Sequence, residues 1–158
     1  MRNPLALARA LALLVPAAAL AVAFGSQYLG HLVPCEMCWW QRYAHMAALV
    51  LALLALVVRG RAVVLLAALA IAASGAIGVY HAGCELHFYQ CITQCTSTVS
   101  AGMSTDDYLK AIMSAPMIRC DDIQWSLLGI SMAGWNAILS LGSALLILWL
   151  SLRRARTA

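Results

Sequence analysis

Four long apolar segments constrain this chain more than any other feature of its sequence. They cover roughly residues 10–28, 43–58, 62–80 and 127–150. Stretches of about twenty apolar residues are long enough to cross a bilayer as helices. With 64% hydrophobic and 10% charged residues among 158, the composition excludes a water-soluble domain. The sequence predicts an all-α membrane protein, in which residues 1–158 form a single domain built on a four-transmembrane-helix bundle.

The first segment also has a feature of a cleaved signal peptide. Ala21-Val22-Ala23 resembles a cleavage site. The apolar run continues past that point, however, and ends at Tyr28, a residue type common at membrane interfaces. We therefore expect this segment to be a transmembrane helix.

The arginines predict the orientation of the bundle. One side holds both termini and the turn between the second and third segments, with Arg2, Arg9, Arg59, Arg61, Arg153, Arg154 and Arg156. The other side has only Arg42, Lys110 and Arg119, together with all six acidic residues. The positive-inside rule puts both termini in the cytoplasm. In a bacterium this predicts an inner-membrane protein, and its net charge of +4 is no evidence for nucleic-acid binding.

The cysteines share one side of the predicted membrane. All six fall at or beyond the non-cytoplasmic face: Cys35, Cys38, Cys84, Cys91, Cys95 and Cys120. In a bacterium this is the periplasm, where disulfides persist. The distribution indicates redox use of the thiols or structural disulfides, and argues against inert core cysteines.

The loop of about residues 81–124 is long for so small a protein, and long ordered loops are usually functional. Within it, Ser104-Thr105-Asp106-Asp107 resembles a helix cap and precedes apolar residues at helical spacing. We expect a short amphipathic helix that ends at Pro116. It could lie in the membrane interface or pack on the other loops.

Two features of the third and fourth segments concern helix packing. Ser74 and Gly78 are four residues apart and can let a neighbouring helix approach closely. Asn136 lies inside the fourth segment, and we expect it to donate a hydrogen bond between helices.

The motif Cys35-Glu36-Met37-Cys38 has the spacing of a reversible disulfide, a zinc half-site or a haem attachment site. Haem attachment needs a histidine after the second cysteine, where this chain has Trp39. Zinc would need two more nearby ligands. The motif therefore predicts a redox pair, and we predict no metal site.

Arg42 and His45 follow Cys38 on the same face of a helix, if a helix begins near the motif. Arg42 could instead be an interfacial anchor, and His45 a neutral hydrogen-bonded core histidine. Ionisable residues at membrane depth are usually functional. Cys38, Arg42 and His45 together therefore predict a site where a thiolate gives electrons to a quinone. Arg42 would stabilise the negative charge.

Electrons from a soluble partner would need a second cysteine pair. Cys120 lies just before the fourth segment, and its mate could be Cys84, Cys91 or Cys95. Spacing alone does not decide between these pairings.

Several motifs together resemble the bacterial disulfide bond formation protein B family (DsbB). The first is Pro34-Cys35-x-x-Cys38-x-x-x-Arg42, and the second is Tyr80-His81 at the end of the third segment. A loop cysteine follows about fourteen residues later, and Cys120-x-x-x-Gln124-Trp125 precedes the fourth segment. The four segments and their orientation match too, so the resemblance covers nearly the whole chain.

The resemblance implies a quinone-dependent thiol oxidase that reoxidises a periplasmic thioredoxin-like dithiol oxidase (DsbA-like). By analogy, Cys95 and Cys120 form the disulfide that the partner attacks, and electrons then pass to Cys35 and Cys38. The acceptor would be ubiquinone or menaquinone, held near Cys38 by the residues that match family positions, Arg42, His81 and Trp125. A role for His45 comes from helical spacing alone.

Cys84 and Cys91 are extra relative to the four cysteines usual in that family. They belong to the run His81-x-x-Cys84-x-x-His87-x-x-x-Cys91-x-x-x-Cys95. They could be reduced bystanders, an additional disulfide, or soft-metal ligands together with the histidines. A regular helix would hold them too far apart for a disulfide. Cys91 could also replace Cys95 as the mate of Cys120.

Two other functional classes share part of this sequence pattern. A reductase of the vitamin K epoxide type also has four spans and a two-cysteine motif, but in the relatives compared the motif follows a later span. A membrane scaffold with structural disulfides would not need Arg42 one turn beyond the cysteine pair.

Overall fold

A computed structural model describes residues 3–58, 60–92 and 119–153, with the single residues Ser104 and Asp106. These residues contain four long helices, α1 (Pro4–Tyr28), α2 (Glu36–Val57), α3 (Ala62–Glu85) and α4 (Met132–Leu152). All four are long and apolar enough to cross a membrane, which confirms the predicted four-helix membrane fold. Cys95, and all of the predicted loop helix except Ser104 and Asp106, lie outside the described residues.

The helices pack in a ring. α1 and α3 each contact both α2 and α4, and α1 barely touches α3. The connections from α1 to α2 and from α2 to α3 are short, so these neighbours run antiparallel. The starts of α2 and α4 and the end of α3 therefore meet at one end of the bundle, which we call the cysteine end.

The opposite end of the bundle contains a core made largely of small side chains. Its buried residues come from all four helices: Ala8, Ala12, Ala48, Ala52, Ala55, Val64, Ala67, Ala68, Ile71, Ala144, Ile147 and Leu150. Alanines let helix backbones approach closely, and this proximity strengthens van der Waals packing where lipid provides no hydrophobic driving force.

The close approach expected at Gly78 is present between α3 and α4. A Cβ atom at Gly78 would lie 3.0 Å from the Ala133 carbonyl oxygen and 3.2 Å from Asn136 Nδ2. Asn136 Nδ2 also donates to Ser74 Oγ at 3.1 Å. The expected role of Asn136 as an interhelical donor is therefore confirmed.

The second span begins earlier than hydropathy predicts. α2 starts at Glu36 rather than near Tyr43, so the two-cysteine motif lies at the helix start itself. Gln41 and Arg42 depress the hydropathy of this first part, yet both side chains are buried in the bundle. Because their polar atoms have partners inside the protein, the helix can extend through them.

The first and third spans also extend beyond the predicted limits. α1 begins at Pro4, where the Asn3 side chain accepts a hydrogen bond from the Leu5 amide. α3 continues past Tyr80 to Glu85, which is buried. In both cases polar residues that end an apolar run are accommodated by a cap or by burial.

A β-hairpin replaces the predicted start of the fourth span. β1 (Ser126–Leu127) pairs antiparallel with β2 (Ile130–Ser131). The two turn residues, Leu128 and Gly129, have φ of 55° and 78°, as a two-residue type I′ turn requires. The fourth helix therefore starts at Met132 and not at residue 127. The hairpin also positions the preceding segment, which carries Trp125, beside the cysteine end.

Candidate functional site

A cleft opens at the cysteine end of the bundle. Its lining includes five residues that the sequence analysis singled out: Cys35, Cys38, Arg42, His81 and Trp125. The cleft encloses about 470 Å³, a figure that includes the open space at its mouth. The fold thus brings together residues from α2, α3 and the segment before β1.

The two cysteines of the motif lie at the N-terminus of α2. Cys35 is the N-cap residue and Cys38 lies in the first turn. The Cys35 thiol donates a hydrogen bond to Cys38 Sγ across 3.3 Å. A helix N-terminus stabilises a thiolate, and the charge of Arg42 also acts on Cys38. The arrangement favours negative charge on the Cys38 sulfur.

Cys35 differs from Cys38 in its surroundings. The contact with the Cys120 thiol lowers the pKa of Cys35, but the hydrogen bond to Cys38 and burial raise it, and the net value is about 12. Cys35 therefore keeps its proton at neutral pH, and Cys38 is the sulfur of this pair that can carry charge.

Cys120 reaches the same site from the segment before the hairpin. It is 5% exposed and packs in a cluster with Cys35, Met37 and Cys84. Its thiol contacts that of Cys35. Next to it, Arg119 Nε donates to Asp121 Oδ1 across 2.8 Å. A predicted member of the second cysteine pair thus lies against the first pair.

Arg42 is buried, with only 6% of its surface exposed. Its guanidinium donates to Gln27 Oε1 and, across 2.9 Å, to the Ala23 carbonyl oxygen. It also lies 5.0 Å from the ring centroids of Phe24 and Trp39. These contacts hold the guanidinium in the lining of the cleft.

The orientation of His81 depends on Gln41, which the sequence analysis did not single out. Gln41 Oε1 accepts from Asn136 Nδ2 across 2.7 Å, so Gln41 Nε2 is the donor toward His81 Nδ1, 2.9 Å away. Because Nδ1 accepts, the proton of the neutral ring is on Nε2. His81 Nε2 lies 3.6 Å from Cys35 Sγ and can donate to that sulfur.

His45 lies deeper in the bundle than the cleft-lining residues. It is 3% exposed, and its Nε2 lies 2.9 Å from Asn136 Oδ1. The described lining of the cleft does not include it. This placement fits the alternative of a hydrogen-bonded core histidine, and the role of His45 in quinone binding stays a prediction.

Cys35, Cys38 and His81 also have the geometry of a partial metal site. Their ligand atoms lie within 4.8 Å of one another. They could hold a soft metal ion while both cysteines are reduced, whereas a disulfide between the cysteines would remove both thiolate ligands. Within the described part of the chain, Cys84 and Cys91 belong to no such group.

Replacing Gln41 with leucine is expected to slow the alkylation of Cys35 in the reduced protein about fivefold near pH 9. Without the Gln41 amide, the proton of His81 is no longer held on Nε2, and the hydrogen bond from His81 to the Cys35 thiolate is lost. Loss of one such bond corresponds to about 1 kcal/mol. Alkylation by iodoacetamide is followed by mass spectrometry, with fragmentation to separate Cys35 from Cys38.

Ser74→Ala is the matched control for Gln41→Leu. Ser74 Oγ donates to the Gln41 backbone carbonyl oxygen across 3.1 Å, so its loss should perturb α2 without touching the bond to His81. An equal effect of both substitutions on Cys35 would show that Gln41 acts only through packing.

The chain is similar to known proteins over most of its length. The family model described as disulfide bond formation protein DsbB matches residues 6–150. The chain is 32% identical over 154 residues to disulfide bond formation protein B of Marinobacter nauticus, covering 91% of this chain and 90% of the relative. It is 27% identical over 127 residues to an uncharacterized protein of Rickettsia prowazekii, covering 78% and 74% respectively. No solved structure matches the chain significantly.

Proposed function

Because this chain belongs to the disulfide bond formation protein B family, we propose that it oxidises a periplasmic thioredoxin-like dithiol protein and passes the electrons to a membrane quinone. One observation carries the proposal: the Cys120 thiol contacts Cys35 in the same cleft where Arg42 acts on Cys38. A thiol that receives electrons from a partner and a sulfur that can give them to an acceptor are thereby connected.

We propose that the protein lies in the bacterial inner membrane with the cysteine end in the periplasm. The excess of arginines at the opposite end supports this orientation. At that end Arg9 donates to the Gly60 carbonyl oxygen across 3.3 Å, linking α1 to the turn between α2 and α3. The thiols would then face an oxidising compartment.

The first proposed step is exchange with the loop disulfide Cys95–Cys120. The partner's thiolate attacks Cys95, a mixed disulfide forms, and Cys120 leaves as a thiolate. Cys120 then attacks Cys35 in the Cys35–Cys38 disulfide. The Cys35–Cys120 bond forms and Cys38 leaves as a thiolate. The contact between Cys120 and Cys35 supports attack at Cys35 rather than at Cys38.

The partner's second thiolate then resolves the mixed disulfide and frees Cys95. Cys95 attacks Cys120, which restores the loop disulfide and leaves Cys35 reduced. The net change is one partner disulfide gained and the Cys35–Cys38 disulfide converted to two thiols. Two electrons and two protons remain to be passed on, and their removal restores the Cys35–Cys38 disulfide.

The cleft has a donor set that fits a quinone headgroup. Ubiquinone or menaquinone would supply an acceptor for two electrons and two protons. Cys38 presents its sulfur to the cleft, Arg42 stabilises negative charge there, and the Trp125 ring, 43% exposed at the cleft, offers a flat apolar surface. His81 is placed to hold a proton at Nε2 beside Cys35.

The full chain in detergent, supplied with a reduced thioredoxin-like dithiol protein, is expected to reduce short-chain ubiquinone with one quinone lost per partner disulfide formed. Quinone absorbance and partner thiols are followed together. The same mixture without the dithiol protein is the control. Absence of thiol-dependent quinone loss would reject the proposed function.

A further inference from the structure

α3 ends in a tight turn that reverses the chain. The His87 amide donates to the Cys84 carbonyl oxygen across 2.9 Å, and the Phe88 amide donates to that of Gly83 across 3.0 Å. His87 has a φ of 58°. This pair of bonds with a left-handed residue is the Schellman helix-ending motif. The chain therefore does not continue as a helix toward Cys91.

The segment after the turn packs back against α3. The Tyr89 ring stacks on Tyr80 with centroids 4.9 Å apart, and its hydroxyl donates to the Tyr80 carbonyl oxygen across 3.0 Å. Gly83 makes room for this contact, because a Cβ atom there would lie 2.1 Å from the Tyr89 hydroxyl oxygen. Three residues thus hold the returning segment beside the end of the helix.

This reversal brings Cys91 to Cys84. Seven residues of regular helix would separate the two Cα atoms by roughly 10 Å, beyond the range that a disulfide can bridge. Here the Cys91 thiol contacts that of Cys84. Cys84 is fully buried and Cys91 packs on the same cluster. The Cys120 thiol contacts that of Cys35, and it also lies close enough to Cys91 to interact with it electrostatically.

We propose that Cys84 and Cys91 form an additional disulfide, which fastens the start of the long loop to the end of α3. The two thiols lose two protons and two electrons as the Sγ–Sγ bond forms. The oxidant is a protein disulfide, which takes up those electrons and protons and becomes two thiols. Because Cys84 is 0% exposed, the resulting bond is shielded from reducing thiols in solution.

The test is a map of thiols in the full-length protein, purified without reductant and denatured in the presence of a maleimide. Chymotrypsin, which cuts after Leu86, Phe88 and Tyr89, separates the Cys84 peptide from the Cys91 peptide. We expect the Cys84 peptide to be linked to the peptide that carries both Cys91 and Cys95, with no label on Cys84 or Cys91, and to be released from it by reduction. Fragmentation identifies Cys91 rather than Cys95 as the linked residue.

Single substitutions keep the result interpretable if one variant fails to fold. Cys91→Ser should expose one labelled thiol at Cys84, and Cys84→Ser one at Cys91. Maleimide on both residues of the wild-type protein, or a link from either to another cysteine, would overturn the proposal. No quinone or partner is involved, so a failure here is distinct from a failure of the proposed function.

Discussion

Replacing Cys38 with serine is expected to lower thiol-dependent quinone reduction by roughly a thousandfold or more, as loss of an essential nucleophile does in enzymes. A serine hydroxyl neither forms the Cys35–Cys38 disulfide nor carries negative charge at neutral pH. The assay is loss of short-chain ubiquinone absorbance with a reduced dithiol protein as donor. Full activity in Cys38→Ser would reject the proposed relay.

Loss of a thiol at the cysteine end needs a control of its own. The matched control is the double variant Cys84→Ser/Cys91→Ser, which removes two thiols at the same end of the bundle and leaves the four relay cysteines. We expect it to keep quinone reduction within about threefold of wild type, because neither residue takes part in the relay.

Replacing Arg42 with methionine is expected to raise the KM for quinone about 10- to 100-fold and to leave the KM for the dithiol protein unchanged. A charge-assisted hydrogen bond contributes about 1.5–3 kcal/mol, and about 1.4 kcal/mol corresponds to a tenfold change. Methionine keeps the apolar stem between the rings of Phe24 and Trp39. The two KM values are measured by varying quinone and dithiol protein separately.

Arg42→Lys is the control that separates charge from packing. It keeps a cation near Cys38 but loses the two-pronged contact with Gln27 and Ala23, so its KM for quinone should rise less than that of Arg42→Met. Thermal unfolding in detergent reports how much stability each variant loses. If only the KM for the dithiol protein changes, Arg42 does not act on the quinone.

Hydropathy predicted the number and the order of the spans but not where they begin. The start of α2 was missed because Gln41 and Arg42 look like a break in an apolar segment. In the structure both are buried and hydrogen-bonded to neighbouring helices. A hydropathy average scores each residue by its own polarity. It takes no account of hydrogen-bond partners that another helix supplies.

In the candidate site, too, some features could be predicted from the sequence and others depended on the fold. Spacing along one helix placed Cys38 and Arg42 on a common face, and the cleft contains both. The same spacing put His45 with them, yet its contacts are with Asn136. Gln41 had one signal in the sequence, a polar side chain at membrane depth. Its partner His81 lies on another helix, so its role could not be read from spacing.

The order of residues along the chain is enough to predict a four-helix membrane protein whose described cysteines, Cys35, Cys38, Cys84, Cys91 and Cys120, lie at one end. Both follow from local properties, since apolar length selects membrane-spanning helices and the cysteine positions relative to them are fixed along the chain. Which thiols meet depends on how the chain folds in three dimensions. The contact of Cys120 with Cys35 depends on how the segment before β1 folds over α2. The contact of Cys91 with Cys84 depends on the turn that ends α3. Spacing along a chain does not encode such contacts, because they are set by where the chain reverses and how helices pack.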